Sequence, residues 1–350
     1  MTQGQLASAT ALARSALAKI ENGARRVTAL ELSRIAVALD ERIEWFVADA
    51  VPAIVSHRNV MDPGAASPTI DRLVERTTRH VEFVLQHDQH GEVADLPQLE
   101  RPATVAAAER AARTARDLLG YGSAEPALGL AEHATAAGIL TFSFALEGDA
   151  ADAASILLPR GAVVVVNGAR HVGRRRLALA HDIGHCLFAD EYVVDVDVSH
   201  HDEVSWEGRL DRFARALLLP GRAVTRAWND WYGEEGARTA AVVLASMFRV
   251  DMSTLSRRLV ELGEIDAEQA GIVRSARTTR ADIVERDLVV HDELRSPELP
   301  RVYEQAVLRL YRNSTLSAAR ATDLLFDLWT EEDLPVLPPA PPDSIWGLIS

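Results

Sequence analysis

A single cysteine, Cys186, stands in 350 residues, which rules out an internal disulfide framework and suits a reducing compartment. Lysine is nearly absent as well. Lys19 is the only one, the other basic residues being arginines, a bias that reads as genomic base composition rather than function. No apolar run approaches the roughly 20 residues that span a bilayer, and the first residues lack the basic-then-apolar pattern of a secretory signal. A cytoplasmic protein without membrane contact is therefore expected. Positive charge is in deficit too: 37 Lys and Arg against 51 Asp and Glu give a formal net charge of −14. That balance argues against non-specific nucleic-acid binding by the whole chain.

What is present describes an ordinary globular protein. Apolar residues make up 48%, and the length allows two or three domains with a sizeable core. Charge is uneven, however. Within residues 1–30, Arg14, Lys19, Arg25 and Arg26 face Glu21 alone, so DNA contact is expected there before anywhere else.

The chain shows no internal repeat. Residues 1–50 read as short helices, with Leu32, Ile35, Ala36 and Leu39 at helical spacing and Trp45 and Phe46 closing a small core. Residues 51–104 read as a linker, broken at Asp62-Pro63-Gly64. It contains an amphipathic helix whose stripe is Ile70, Leu73, Val74, Val81, Val84 and Leu85; packing onto a neighbouring domain is favoured over a dimer contact. Residues 105–265 read as a compact α+β domain. Three β-rich runs occur at 139–144, 154–158 and 163–166, the last two joined by a hairpin turn at Pro159-Arg160-Gly161. Helices follow at 174–188 and 204–218, the second ended by Pro220-Gly221. Residues 266–350 read as a helical extension with a Pro-rich tail, in which Trp346 is a candidate for docking back on the core. The predicted fold class is mostly α with a small β-sheet.

Chemistry concentrates in the helix carrying His181-Asp182-Ile183-Gly184-His185. Histidines at i and i+4 share a helix face, so both imidazoles can reach one ion. Asp182, beside the first, is placed to act as general base on a water at such an ion. A zinc site needs a third protein ligand, and Glu207, at the border of the Trp206, Leu210, Phe213, Ala214, Leu217 stripe, is the candidate. A histidine pair alone is more often structural. Here it lies among Leu177, Ala178, Leu179, Ala180, Leu187 and Phe188, where burying two histidines and an aspartate without a ligand is costly. The adjacent His200-His201 read as solvated, and Cys186 as a packed core residue.

Two stretches resemble the ImmA/IrrE family of metallopeptidase-like proteins. They are Leu179–His185 and the run from Glu207 through Asp211, Phe213-Ala214 and Leu217-Leu218-Leu219-Pro220. The strand at 163–167 leading into Arg174-Arg175-Arg176, and Phe248-Arg249-Val250-Asp251-Met252-Ser253, fit the same pattern. The resemblance spans roughly residues 105–265. It implies a zincin-like domain with Zn2+ held by His181, His185 and Glu207 and with Asp182 as catalytic base. Two departures stand out: the family normally carries glutamate where this chain has Asp182, and usually asparagine at Asp211. Asp211 is either an acceptor orienting a ligating histidine or an exposed helix carboxylate.

Thr2-Gln3, Leu6-Ala7, Leu12, Leu17, Ile20–Gly23 and the Leu32/Ile35/Leu39 stripe resemble a helix-turn-helix of the phage-repressor (XRE) class. By position the recognition helix runs from about Arg14 to Ile20. Arg14, Ser15 and Lys19 are then candidates for DNA contact, with Arg25 and Arg26 for phosphates. The class carries a helix before Thr2-Gln3, so either the true start is upstream or the small domain is incomplete. Together the two resemblances imply a DNA-binding transcription regulator whose peptidase-like domain acts on a specific regulatory protein. The alternative is a non-hydrolytic regulator that senses a ligand or partner. Repressor-like domains usually bind as dimers, so a homodimer is expected.

Overall fold

A computed structural model describes residues 1–39, 43–47, 56–58, 68–88, 91, 93–146, 151–189, 205–288 and 292–337. The Asp62-Pro63-Gly64 break, His200-His201, the tail from Pro338 with Trp346, and the Trp45 side chain lie outside them. The chain divides into two compact units, Met1–Val51 and Pro52–Ser350. Among the described residues no helix is long and apolar enough to cross a membrane.

The first unit holds α1 (Gln3–Thr10), α2 (Arg14–Glu21), α3 (Ala29–Leu39) and α4 (Ile43–Val47). Thr2 starts α1 through a capping box with Gln5, which satisfies two backbone donors that the helix cannot. Ala11, in the left-handed region at φ 56°, ends α1 and turns the chain into α2. Leu6, Ala7, Leu17 and Ile35 form the buried centre, flanked by Leu12, Val27, Leu39 and Phe46. Leu17 is the one buried residue of α2, which leaves the rest of that helix's surface outward.

The second unit continues with β1 (Ser56–Arg58), α5 (Pro68–His87), α6 (Val105–Leu118), α7 (Leu130–Ala136), β2 (Ile139–Phe144), β3 (Ala153–Leu157) and β4 (Ala162–Asn167). Then come α8 (Val172–Leu187), α9 (Trp206–Leu218), α10 (Gly221–Phe248), α11 (Met252–Glu261), α12 (Ala267–Ser275), α13 (Arg280–Glu285), α14 (Arg301–Arg312) and α15 (Ala318–Leu324). The strands form one mixed sheet in the order β1-β3-β4-β2. β3 runs antiparallel to β1 and β4, and β2 parallel to β4. The turn at Pro159-Arg160-Gly161 closes the β3–β4 hairpin, with Leu158 N–H donating to the Gly161 carbonyl at 3.0 Å.

β4 is buried along its whole length, as expected of a strand covered on both faces. Its alternate residues Ala162, Val164 and Val166 join Ala178, Leu179 and Ile183 of α8 in the main core. Val163 and Val165 point the other way, toward the side where α5 packs on β3 and β4 and α14 packs on α5. The apolar stripe of α5 is spent there: Ile70, Val74, Val81 and Val84 are buried. On the neighbouring strand Phe142 meets Tyr303 edge-on at 5.3 Å and Phe326 at 6.0 Å between ring centres. Arg76 bonds Asp323 at 3.2 Å and Arg309 bonds Asp88 at 2.6 Å, tying α5 to α15 and α14.

Segments on either side of the α6–α11 stretch therefore complete its sheet. Removing the Phe142 ring should cost about 3–5 kcal/mol, the usual loss for a buried aromatic cut to alanine. Urea unfolding of Phe142→Ala checks this: a lower midpoint is expected, and an unchanged one would mean this layer contributes no stability.

Candidate metal centre

α8 is packed against the sheet on one side and α9 on the other, and nearly every residue from Ala178 to Leu187 is fully buried. Two glycines make that possible. A side chain at Gly173 would fall 2.3 Å from the Asp251 backbone nitrogen, where the Val250-Asp251 turn crosses the start of α8. One at Gly184 would fall 2.8 Å from Leu210 Cδ2 and 3.0 Å from Phe213 Cδ1. α9 can thus lie close against α8 at the level of the histidines.

α9 is fixed at both ends. Ser205 caps its start, accepting from Gly208 N–H at 3.0 Å. Its last-turn carbonyls, left without helical partners once Pro220 ends the helix, meet buried guanidiniums. Arg116 donates to Leu217 at 2.7 Å and Arg258 to Leu219 at 2.9 Å, cations also favoured by the negative end of the helix dipole. Glu207 lies in the first turn, where the dipole favours an anion.

The three sequence-predicted ligands come together. Nε2 of His181 and Nε2 of His185 are 3.1 Å apart. Glu207 sets one oxygen 3.3 Å from His181 Nε2 and the other 3.9 Å from His185 Nε2. Both histidines are buried, whereas the Glu207 side chain is 58% exposed, so the cluster opens on one side. For tetrahedral zinc with bonds of roughly 2.0–2.2 Å, ligand atoms are spaced at about 3.4 Å; the donor set and its spacings fit such an ion. Partial burial pushes the Glu207 carboxyl up; with the histidines protonated, as without an ion, the hydrogen bond and charge of His181 and then the charge of His185 outweigh it and hold it at about 2. Glu207 is accordingly an anion across the neutral range.

Asp211, one turn after Glu207, turns out to face a histidine. Its Oδ1 lies 3.1 Å from His181 Nδ1. A proton on Nδ1 donated to that carboxylate leaves Nε2 bare and aimed at the cluster, the tautomer a metal ligand requires. Asp182 lies on the adjoining face of α8, one turn before Cys186, and is wholly buried. Burial first, and then the Asp182 charge, push the Cys186 thiol up, which makes the thiol an inert core group. Trp206, counted from sequence as part of the buried stripe, is half-buried at the rim. Its ring meets His185 edge-on at 6.3 Å, with the Arg101 guanidinium 3.9 Å over its centre. The signal for Trp206 was its place beside Glu207; nothing local marked Arg101.

The Arg174-Arg175-Arg176 run positions the start of α8. Arg174 bonds buried Asp152 at 2.9 Å. Arg175 donates to the Gly168 carbonyl at 3.0 Å and pairs with Asp292. Arg176, fully buried, pairs with Glu293 and donates to the Ala127 carbonyl at 2.5 Å.

In the first unit Arg14, Ser15 and Lys19 are exposed on α2, and Arg26 is exposed beyond it. Arg25 is half-buried and pairs with Glu31 at 2.6 Å, so it is the least free of the five.

Residues 1–46 match a family model described as helix-turn-helix. Residues 134–260 match a peptidase family model described as the IrrE N-terminal-like domain. The chain joins a helix-turn-helix to an IrrE-like domain. It therefore carries a DNA-binding type of module and a metallopeptidase-like one, in an α+β fold. No curated protein and no solved structure matches the chain. The matched part of the IrrE-like domain begins in α7 and ends in α11; it contains β2–β4 and all three clustered ligand candidates, while α5, α14 and α15 lie beyond it.

Gly184→Ala tests the close approach of α8 and α9. Overpacking costs about 1–3 kcal/mol, against a gain of about 1 kcal/mol from alanine's helix propensity. The clash involves two buried side chains, so a lower melting temperature is expected. An unchanged value would show that α9 is not pinned at this point.

Proposed function

We propose that the chain is a cytoplasmic, bacterial transcription regulator. In this reading the helix-turn-helix holds DNA and the IrrE-like domain is a zinc-dependent peptidase acting on a specific regulatory protein. The observation that carries it is the convergence of His181 Nε2, His185 Nε2 and the Glu207 carboxylate with Asp211 behind His181. These three residues would hold the ion and Asp211 would orient the first of them. When bound, zinc supplies Lewis acidity toward a scissile carbonyl. Asp182 is the group to take a proton from the attacking water.

A second reading is favoured by Asp182 itself. Aspartate reaches one methylene less than glutamate, and a displacement of roughly 1 Å can cost on the order of 10²-fold in rate. Its full burial points the same way. The domain would then bind its ion and a partner without hydrolysis, and the bound state would set DNA affinity.

Metal content decides the premise. About one zinc per chain is expected in the purified protein and a loss of it in Glu207→Ala; equal zinc in both would remove Glu207 from the site. Terminal-peptide mass spectrometry of a host-cell lysate then separates the readings. New termini that multiply with Asp182→Glu mark an attenuated peptidase, and none from either zinc-loaded protein marks the sensor.

For DNA, Arg14→Ala and Lys19→Ala should each weaken retention and lower the salt dependence by about one counterion. Filter-binding titrations over a salt series measure this. No retention of the parent protein at low salt would leave the N-terminal unit as a partner-recruiting module.

A further inference from the structure

The charged side chains behind His181 form a lattice that reaches from α9 to α6 and α11. Arg215, whose side chain is 5% exposed, donates from Nε to Glu261 Oε1 at 2.7 Å, and the Glu261 side chain is 3% exposed. The other end of the same guanidinium lies 3.6 Å from Asp211 Oδ2. Glu261 is also within 3.5 Å of Arg212 and 3.4 Å of Arg258. Those two arginines share Glu109 on α6, Arg212 at 2.6 Å and Arg258 at 2.9 Å.

In these contacts the guanidiniums Arg212, Arg215 and Arg258 face three carboxylates, Glu109, Glu261 and Asp211. Asp211 stands between two groups, the Arg215 guanidinium 3.6 Å away and His181 Nδ1 3.1 Å away. Its two oxygens divide between them, Oδ2 toward Arg215 and Oδ1 toward His181.

We propose that Arg215, anchored by Glu261, is a positioning residue for the metal centre: it holds Asp211 as the carboxylate that sets His181 with Nε2 bare toward the ligand cluster. This rests on the metal-binding reading of His181, His185 and Glu207. A merely structural Arg215 would hold α9 to α11 and nothing more. The two roles differ in one respect: positioning acts through Asp211, and structural support does not.

The experiment uses the full chain stripped of metal and titrated with cobalt(II), read by its visible absorption, with zinc competition giving affinity. Arg215→Gln should weaken binding on the order of 10-fold or more, as removal of a partner behind a ligand commonly does. In an Asp211→Asn background the same substitution should cost less than about 2-fold, because the two act in series. Arg215→Lys, which keeps the charge, should recover most of the affinity. Glu261→Gln, which keeps Arg215 and frees it, serves where Arg215→Gln does not fold; its loss should likewise vanish with Asp211→Asn. An equal loss in both backgrounds, or no loss in either, overturns the proposal. A cobalt spectrum that His181→Ala leaves unchanged would instead overturn the metal-site reading, and this inference with it.

Discussion

The close contact of α8 and α9 at Gly184 is the constraint on which the candidate metal centre depends. Two histidines one turn apart on α8 supply only one edge of a ligand set. The third candidate ligand sits at the start of another helix, and the absence of a Cβ at Gly184 lets Leu210 and Phe213 occupy the space beside it. Glu207, one turn before Leu210, is thereby held at the histidines. The second duty of the contact is to bring Asp211 behind His181. The sheet, capped on both faces, is the rigid floor against which this pair of helices is set.

Buried arginine is the other recurring device. Arg116, Arg176 and Arg258 are among the largest fully buried side chains, and each ends on backbone carbonyls, on carboxylates, or on both. Such groups add little net stability, since desolvation offsets much of the attraction. What they add is direction, for a planar fork satisfied at several donors tolerates few arrangements. Arg116 and Arg258 fix the end of α9, Arg176 the start of α8, and Arg215 the region behind His181. The helices bearing the ligand candidates are thus held by polar contacts that specify position more than by apolar area alone.

Much of this was legible in the sequence because it is local. The unbroken valine run 163–166, the Pro-Arg-Gly turn and the i, i+4 histidines each report a structure decided within a few residues. Glu207 was legible because it lies at the edge of an apolar stripe, and a stripe's edge is where a side chain can lean inward. An orienting acceptor and an exposed carboxylate read alike at Asp211, since helix periodicity does not say what stands opposite. The destination of α5 could be read as burial but not as the second face of the sheet, because its partners α14 and α15 lie over 200 residues away. Arg215 with Glu261, and Arg101 over Trp206, left no signal at all: each pair joins elements whose adjacency only the packed fold creates.

The central claim is that His181, His185 and Glu207 hold one zinc ion together. X-ray absorption at the zinc edge of the purified full chain tests it most directly. The account predicts a first shell of two imidazole nitrogens and carboxylate or water oxygen at roughly 2.0–2.2 Å, with no sulfur. A thiolate contribution near about 2.3 Å, or a shell without imidazole, would contradict it.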